Sequence, residues 1–339
     1  MVSQNQVVVT HILKYIILFV FSLLWVIGCN PTLRQKAFDL GLTKDSYRYG
    51  DLYRLSNLPD FKQLTKPCPK PSNLPKTNTG LYIIGDSFTE KARVDSLDFV
   101  AKDYLRTHWN EPLIIQLDTT KRNILVLQTV ERHFREHFVD SVRVLKIGKP
   151  EKVVPQAEAS FFSLAYWDKV LGESEEALTS FLFSGDVFLT LKEWKASLNL
   201  AWFNRHNDQV ALSPDGKNIL FCWDTDSSRI TSSFKYFPDS ELDSLIKGVN
   251  QTRQYYLSLG FDEVYLSIIP NKTSIVAPTM GPYNHLVERV QQHPSLQAPV
   301  LDIWPAFTQN SQQVYSLSDT HWTCFGQSIW VKKVNDVLR

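Results

Sequence analysis

The 339-residue chain has no Walker loop and no G-x-G-x-x-G, so neither phosphate-cradling turn of nucleotide chemistry is present and no cofactor is implied. It has almost no net charge. Thirty-six basic residues stand against thirty-five acidic ones, +1 overall, which leaves no domain-wide basic surface and excludes nucleic acid as the expected partner. Its four cysteines, at 29, 68, 222 and 324, include no Cys-x-x-Cys pair, which excludes a zinc ribbon or thioredoxin-type site. Internal repeats and low-complexity tracts are also lacking. What is there is apolar: 43% hydrophobic and 12% aromatic residues, enough for a large core in one elaborated domain or two small ones.

Long uncharged apolar runs are scarce as well, and the exception is N-terminal. After Lys14 the chain reads YIILFVFSLLWVIGCN, about the length of a signal sequence. With Val7-Val8-Val9 it approaches the ~20 residues that span a bilayer, although His11 and Lys14 interrupt it. An uncleaved signal-anchor is the first reading. Val26-Ile27-Gly28-Cys29 also resembles a bacterial lipobox, with Cys29 lipidated after cleavage. A buried core helix is the third. The first two export the remainder and tether it to a membrane, on the periplasmic or cell-surface side. If Cys29 is lipidated or lies in the membrane, at most one intrachain disulfide remains, with its pair left open. For Cys324, burial as a free thiol is the ordinary outcome.

Residues 29–79 form a lead-in: polar with scattered aromatics up to 66, then KPCPKPSNLPKTNTG, a stiff proline-rich connector. From Leu81 strand and helix patterns alternate. LYIIG reads as a strand, FTEKARVDSLDFVAKDYL as a helix, RNILVLQTV as a buried strand, ERHFREHF as a helix start and VRVLKIG as a short strand. Residues 155–235 break the rhythm and read as an insertion. There Val187, Leu191, Trp194, Leu198 and Trp202 fall near helical spacing, the mark of a core-facing stripe, and VALSPDGKNILFCW reads as a hairpin. A helix capped by Asp239 and closed by Gly260, the strand DEVYLSIIP, the helix YNHLVERVQQ, the strand PVLDIW and a last apolar-striped helix follow. Such alternation predicts an α/β domain over 80–339 with a mostly parallel sheet covered on both faces.

Two short motifs carry chemistry. Gly85-Asp86-Ser87 ends the first strand, which places Ser87 at the sheet's carboxyl edge, where the unpaired amides and positive dipole end of the expected helix favour developing negative charge. Near the C-terminus, Asp319 and His321 are two apart, so in an extended segment both side chains point the same way. A carboxylate there takes the Nδ1 proton, fixes the tautomer and leaves Nε2 to accept a proton from a serine.

Gly85-Asp86-Ser87-Phe88 with Asp319-Thr320-His321-Trp322 resembles the SGNH (GDSL) hydrolase superfamily, and the Asp-Thr-His-Trp form resembles its alginate O-acetylation-like branch. VERHF (Val130 to Phe134) and IIPNK (Ile268 to Lys272) resemble that branch less specifically. The resemblance implies a three-layer α/β/α flavodoxin-like fold, with Ser87 as nucleophile, His321 as general base and Asp319 as its orienter. It implies O-acetyl transfer to an envelope carbohydrate, and a membrane-bound O-acyltransferase partner that delivers the acyl group. Plain ester hydrolysis and a non-catalytic polysaccharide-assembly subunit are the alternatives. This chain departs from the pattern twice. In the alginate proteins the Asp-x-His pair precedes the serine, whereas here it follows, as in ordinary SGNH proteins. The Gly and Asn that complete the oxyanion hole have no clear match, Asn207 being the nearest look-alike.

His133-Phe134-Arg135-Glu136-His137 fits H-x-x-E-H, the inverted zinc-protease pattern, but a further acidic ligand is not set up. A solvated helix is the plainer reading, and no metal is expected. Asn-x-Thr triplets at Asn250 and Asn271 add little.

Overall fold

The computed structural model describes residues 4–148, 164 and 174–339. The apolar run forms one helix, α1 (Gln4–Cys29), and α2 (Pro31–Asp39) follows it at once. Asn30 separates them as an N-cap, its side chain accepting from Leu33 N at 3.0 Å, with Pro31 pre-set for the first helical position. The lead-in expected to be irregular contains α3 (Asp51–Ser56).

The alternating segment gives β1 (Thr77–Gly85), β2 (Ala101–His108), β3 (Leu113–Ile115), β4 (Arg122–Val130), α4 (Glu131–His137) and β5 (Leu145–Ile147). Two longer helices, α5 (Ser174–Phe183) and α6 (Asp186–Phe203), precede the hairpin β6 (Val210–Leu212) and β7 (Ile219–Phe221). The single turn α7 (Cys222–Thr225), α8 (Asp239–Ser258), β8 (Glu263–Ile269) and α9 (Lys272–Val276) come next. The chain closes with α10 (Leu286–Gln291), α11 (Trp304–Gln309), α12 (Ser311–Val314) and α13 (Cys324–Leu338).

β2, β1, β4 and β8 form the central sheet in that order, and every ladder in it is parallel. The predicted strand PVLDIW contributes only a bridge, Val300 beside Leu266, held by two backbone bonds of 2.9 Å. β3 and β5 pair separately in parallel, and β6 and β7 form the antiparallel hairpin. Because successive strand residues point to opposite faces, β1 and β4 feed two cores at once. Tyr82, Ile84, Leu125 and Leu127 pack with Leu242, Leu245 and Val249 of α8. Leu81, Ile83, Ile124 and Val126 pack with Trp330, Val334 and Leu338 of α13. Both faces of the sheet are dry, which explains why its inner strands read as continuous apolar runs.

Three sequence expectations fail here for local reasons. The helix expected after Ser87 is absent. Asp86 caps one 3-10 turn, Ser87–Thr89, and Asp95 and Asp98 form a capping box around a second, Ser96–Asp98. Phe99, Val100 and Ala101 are then drawn into the core, and the rest of the segment pairs with the free edge of β1 as β2. A 3-10 turn, and not the expected α-helix with its dipole, therefore begins at Ser87. Asp239 does not cap α8 through its side chain; it pairs with Arg289 at 2.5 Å. The α6 stripe is not core: Val187, Leu191, Trp194 and Trp202 are exposed.

The chain divides into two compact units. One is built from α1, α2, α5 and α6. The other holds α3, every described strand and the other described helices, so the hairpin expected in the insertion belongs to the unit with the sheet.

Candidate active site

Everything at the carboxyl edge of β1 is short of space. A Cβ on Gly85 would stand 2.2 Å from Thr89 Oγ1 and 2.6 Å from Gln128 Oε1, so any larger residue would push these two side chains out of their hydrogen bonds. The next residue anchors the turn. Buried Asp86 accepts from Phe88 N at 3.0 Å and Gln128 Nε2 at 2.9 Å through one oxygen, and from Val130 N at 2.6 Å through the other. Gln128 returns a bond, its Oε1 accepting from Asp86 N at 3.0 Å. Arg106 and Arg93 hold the carbonyls of Gly85, Asp86 and Ser87. The result is a braced, half-buried Ser87.

The opposing wall is the loop before α13. Tyr315 and Trp322 pair across it, and Ser316 N donates to His321 O at 3.1 Å. Within that closed loop, Ser87 Oγ lies 2.8 Å from His321 Nε2, and His321 Nδ1 lies 2.5 Å from Asp319 Oδ1. The same carboxylate oxygen accepts from His321 N at 2.8 Å. The imidazole rests near Phe88, ring centroids 4.7 Å apart, and Phe88 meets Trp322 edge-on. Residues 234 positions apart in sequence thus form one hydrogen-bonded chain. Burial opposes ionisation of Asp319, but the His321 hydrogen bond and the His321 and Arg93 charges outweigh it and hold the carboxyl well below the usual carboxylate range. An ionised Asp319 keeps the proton on Nδ1 and the lone pair on Nε2, which is the tautomer a serine needs.

Two further residues brace the loop, neither with a role legible in the sequence. Asp51, at the start of α3, accepts from Thr320 N at 2.8 Å and from Thr320 Oγ1 at 2.5 Å, while its own amide donates to Asp319 Oδ2 at 3.3 Å. Gly50 makes this approach possible. It has φ +87°, and a Cβ there would lie 2.4 Å from Ser318 O. From the other side, fully buried Lys272 of α9 donates to Leu317 O at 3.0 Å and Asp319 O at 3.3 Å. Burial pushes the Lys272 ammonium down to about 7, against the pull of Asp51, Asp319 and Asp224. No local pattern in YRYGD marked Asp51. The IIPNK motif did mark the position of Lys272, without its role.

Cys324 is not a free thiol. It is bonded to Cys68, which ties the proline-rich connector to the first turn of α13; Cys29 and Cys222 are unpaired. A cavity of about 500 Å3 opens between connector and loop, lined by Gln63, Lys66, Arg93, Asp319, Trp322 and Gln327.

The other candidate residues lie elsewhere in these networks. Asn207 accepts from Gln209 N within its own exposed turn. Asn271 is fully buried, bonded to Ser233 Oγ and Arg132 N, and its neighbour Glu131 is pushed up to about 7 by burial, against hydrogen bonds from Asn271 and Ser274. His133 pairs with Glu136 at 3.0 Å. His137 stacks on Trp109 and bonds Thr129 Oγ1 at 2.9 Å; burial, then His133 and His108, push it down to about 3. Among the described residues, Asp51, Asp319 and His321 are close enough together for a cation, but their facing atoms are already engaged by protons of the imidazole and Thr320.

No family model, no curated protein and no solved structure matches the chain.

Proposed function

We propose that this protein is a membrane-tethered, extracytoplasmic serine acyltransferase that O-acetylates an envelope or secreted polysaccharide through an acyl-Ser87 intermediate. One observation carries the reading: the continuous chain from Ser87 Oγ through both nitrogens of His321 to Asp319, at 2.8 and 2.5 Å. The strand order β2-β1-β4-β8, with Val300 beside β8, supports a flavodoxin-like fold of SGNH type, whose ligands sit at the carboxyl ends of the strands. The cavity beside Asp319 and Trp322 offers polar and aromatic surface of the kind sugars bind.

In the first half-reaction His321 Nε2 takes the Ser87 proton as Oγ attacks the acyl carbonyl. The Oγ–C bond forms, the bond to the donor oxygen breaks, and imidazolium returns the proton to that oxygen. The Ser87 amide, at the first position of its 3-10 turn, supplies one donor to the oxyanion. In the second half-reaction a sugar hydroxyl gives its proton to His321 as its oxygen bonds the acyl carbon; the Oγ–C bond breaks, and the imidazolium returns the proton to Ser87 Oγ. A membrane-bound O-acyltransferase is the expected source of the acyl group.

The test is to incubate the protein with an activated acetyl ester and map the adduct by mass spectrometry. Acetyl on Ser87 supports the assignment; acetyl on a histidine, or an active enzyme with no adduct, overturns it. Discharge faster with an added oligosaccharide than with water marks a transferase, and equal discharge marks an esterase.

A further inference from the structure

Helix α6 is apolar on two sides. Leu189 is buried, while Val187, Leu191, Trp194 and Trp202 stand 73, 56, 65 and 74% exposed. At about 100° per residue these four fall within roughly 80° of arc, and Leu189 lies on the opposite side of the helix. The uncovered stripe amounts to on the order of 400 Å2, more than a lone surface residue needs to explain. Exposed Lys195 borders it.

What lies next to this helix in its own unit identifies the occupant. α1 is long and apolar enough to cross a membrane from His11 to Cys29. α5 packs on the last turn of that span: a Cβ on Gly28 would come 2.7 Å from Leu178 and 3.2 Å from Phe181. Phe183 and Phe188 pair edge-to-face at the corner between α5 and α6, and Lys44 and Arg48 hold Asp186 in the first turn of α6. The start of α6 is therefore tied, through α5 and through Lys44 and Arg48, to the segment that follows the end of the span. Tryptophan is the residue type enriched at the depth of lipid headgroups, its ring in the acyl boundary and its N–H in the wet layer. A bordering lysine can reach up to phosphate.

We propose that α6 is an interfacial helix, lying in the surface of the bilayer that α1 enters with Trp194 and Trp202 in the acyl boundary. The proposal rests on α1 as a membrane span and is independent of the serine chemistry.

Full-length protein in phosphatidylcholine–phosphatidylglycerol vesicles tests it through the emission lost in W194F/W202F. Lipids brominated near the headgroup should quench that component by about half or more, and more than lipids brominated at the chain end. Emission open to aqueous iodide but not to bromolipid overturns the proposal, because the face is then in water. Emission shielded from both overturns it too, in favour of a second copy or another protein. Flotation resistant to alkaline carbonate reports α1 separately, so bromolipid failure with flotation intact leaves the span standing, and loss of flotation overturns both. As a second variant, L191E/W194E should leave the far-ultraviolet circular dichroism and the thermal unfolding midpoint unchanged and abolish bromolipid quenching of Trp202; undiminished quenching counts against the proposal.

Discussion

Ser87, His321 and Asp319 form one hydrogen-bonded chain, so under the proposed function their substitutions should not add. Ser87→Ala should abolish the acyl adduct, and His321→Ala should cost nearly as much. Asp319→Asn should cost less than either, about three to four orders of magnitude in turnover, because the ring stays but the tautomer is lost. Asp51→Asn should cost less again, since Asp51 Oδ2 stands 3.8 Å from His321 Nδ1, beyond hydrogen-bond reach, and otherwise acts through Thr320 and Asp319. Single-turnover release from an activated ester ranks the four, and a silent Ser87→Ala would reject the order.

Glu131 gives a prediction in pH. Folded, it gives up its proton at about 7, above the 4.5 of an ordinary glutamate. Between those values the native state holds more protons than the unfolded one, so this group's contribution to stability is greatest in acid and falls as pH rises to 7. Glu131→Gln keeps acceptors for Asn271 N and Ser274 Oγ without the titration. Its unfolding free energy should gain on that of wild type by on the order of 3 kcal/mol between pH 4.5 and 7 and then level off. A pH-independent difference would show that Glu131 does not titrate there.

At the scale of elements, the loop from Tyr315 to Trp322 is shaped by segments far from it in sequence: Gly50 and α3 on one side, Lys272 on another, Cys68 through its bond to Cys324. Reducing that disulfide should lower stability by about 2–5 kcal/mol, since it closes a loop of 256 residues, and should raise KM more than it lowers kcat, because the connector lines the cavity. Urea titrations and kinetics with and without dithiothreitol check both. Gly50→Ala should instead lower kcat, since a Cβ against Ser318 O displaces the loop that carries Asp319 and His321.

For the whole molecule, α1 is the membrane candidate and Cys29, its last residue, the lipidation candidate. Labelling cells with a radioactive fatty acid decides between them. Incorporation that Cys29→Ser abolishes marks a lipoprotein, and an unlabelled protein that resists carbonate marks a signal-anchor.

Strand identity was legible in the sequence wherever both faces of a strand are buried. RNILVLQTV coincides with β4 and DEVYLSIIP contains β8, because a parallel strand covered by core on both faces needs a nearly unbroken apolar run. The hairpin was legible too, since Pro-Asp-Gly turns by local backbone preference and Gly216 has φ +68°. Ser87, Asp319 and His321 could be named because an Asp two residues before a His, and a Ser after a strand-ending Gly, are local patterns. Edge and contact decisions were not local. AKDYLRTH became a strand only because β1 had a free edge, and α6 shows its apolar stripe because no described element covers it. Asp51 joined the site because Gly50 lets the backbone approach Ser318, which no spacing in YRYGD records. A sequence sets what each segment can bury and how it can turn; which partner it meets depends on the whole chain folding at once.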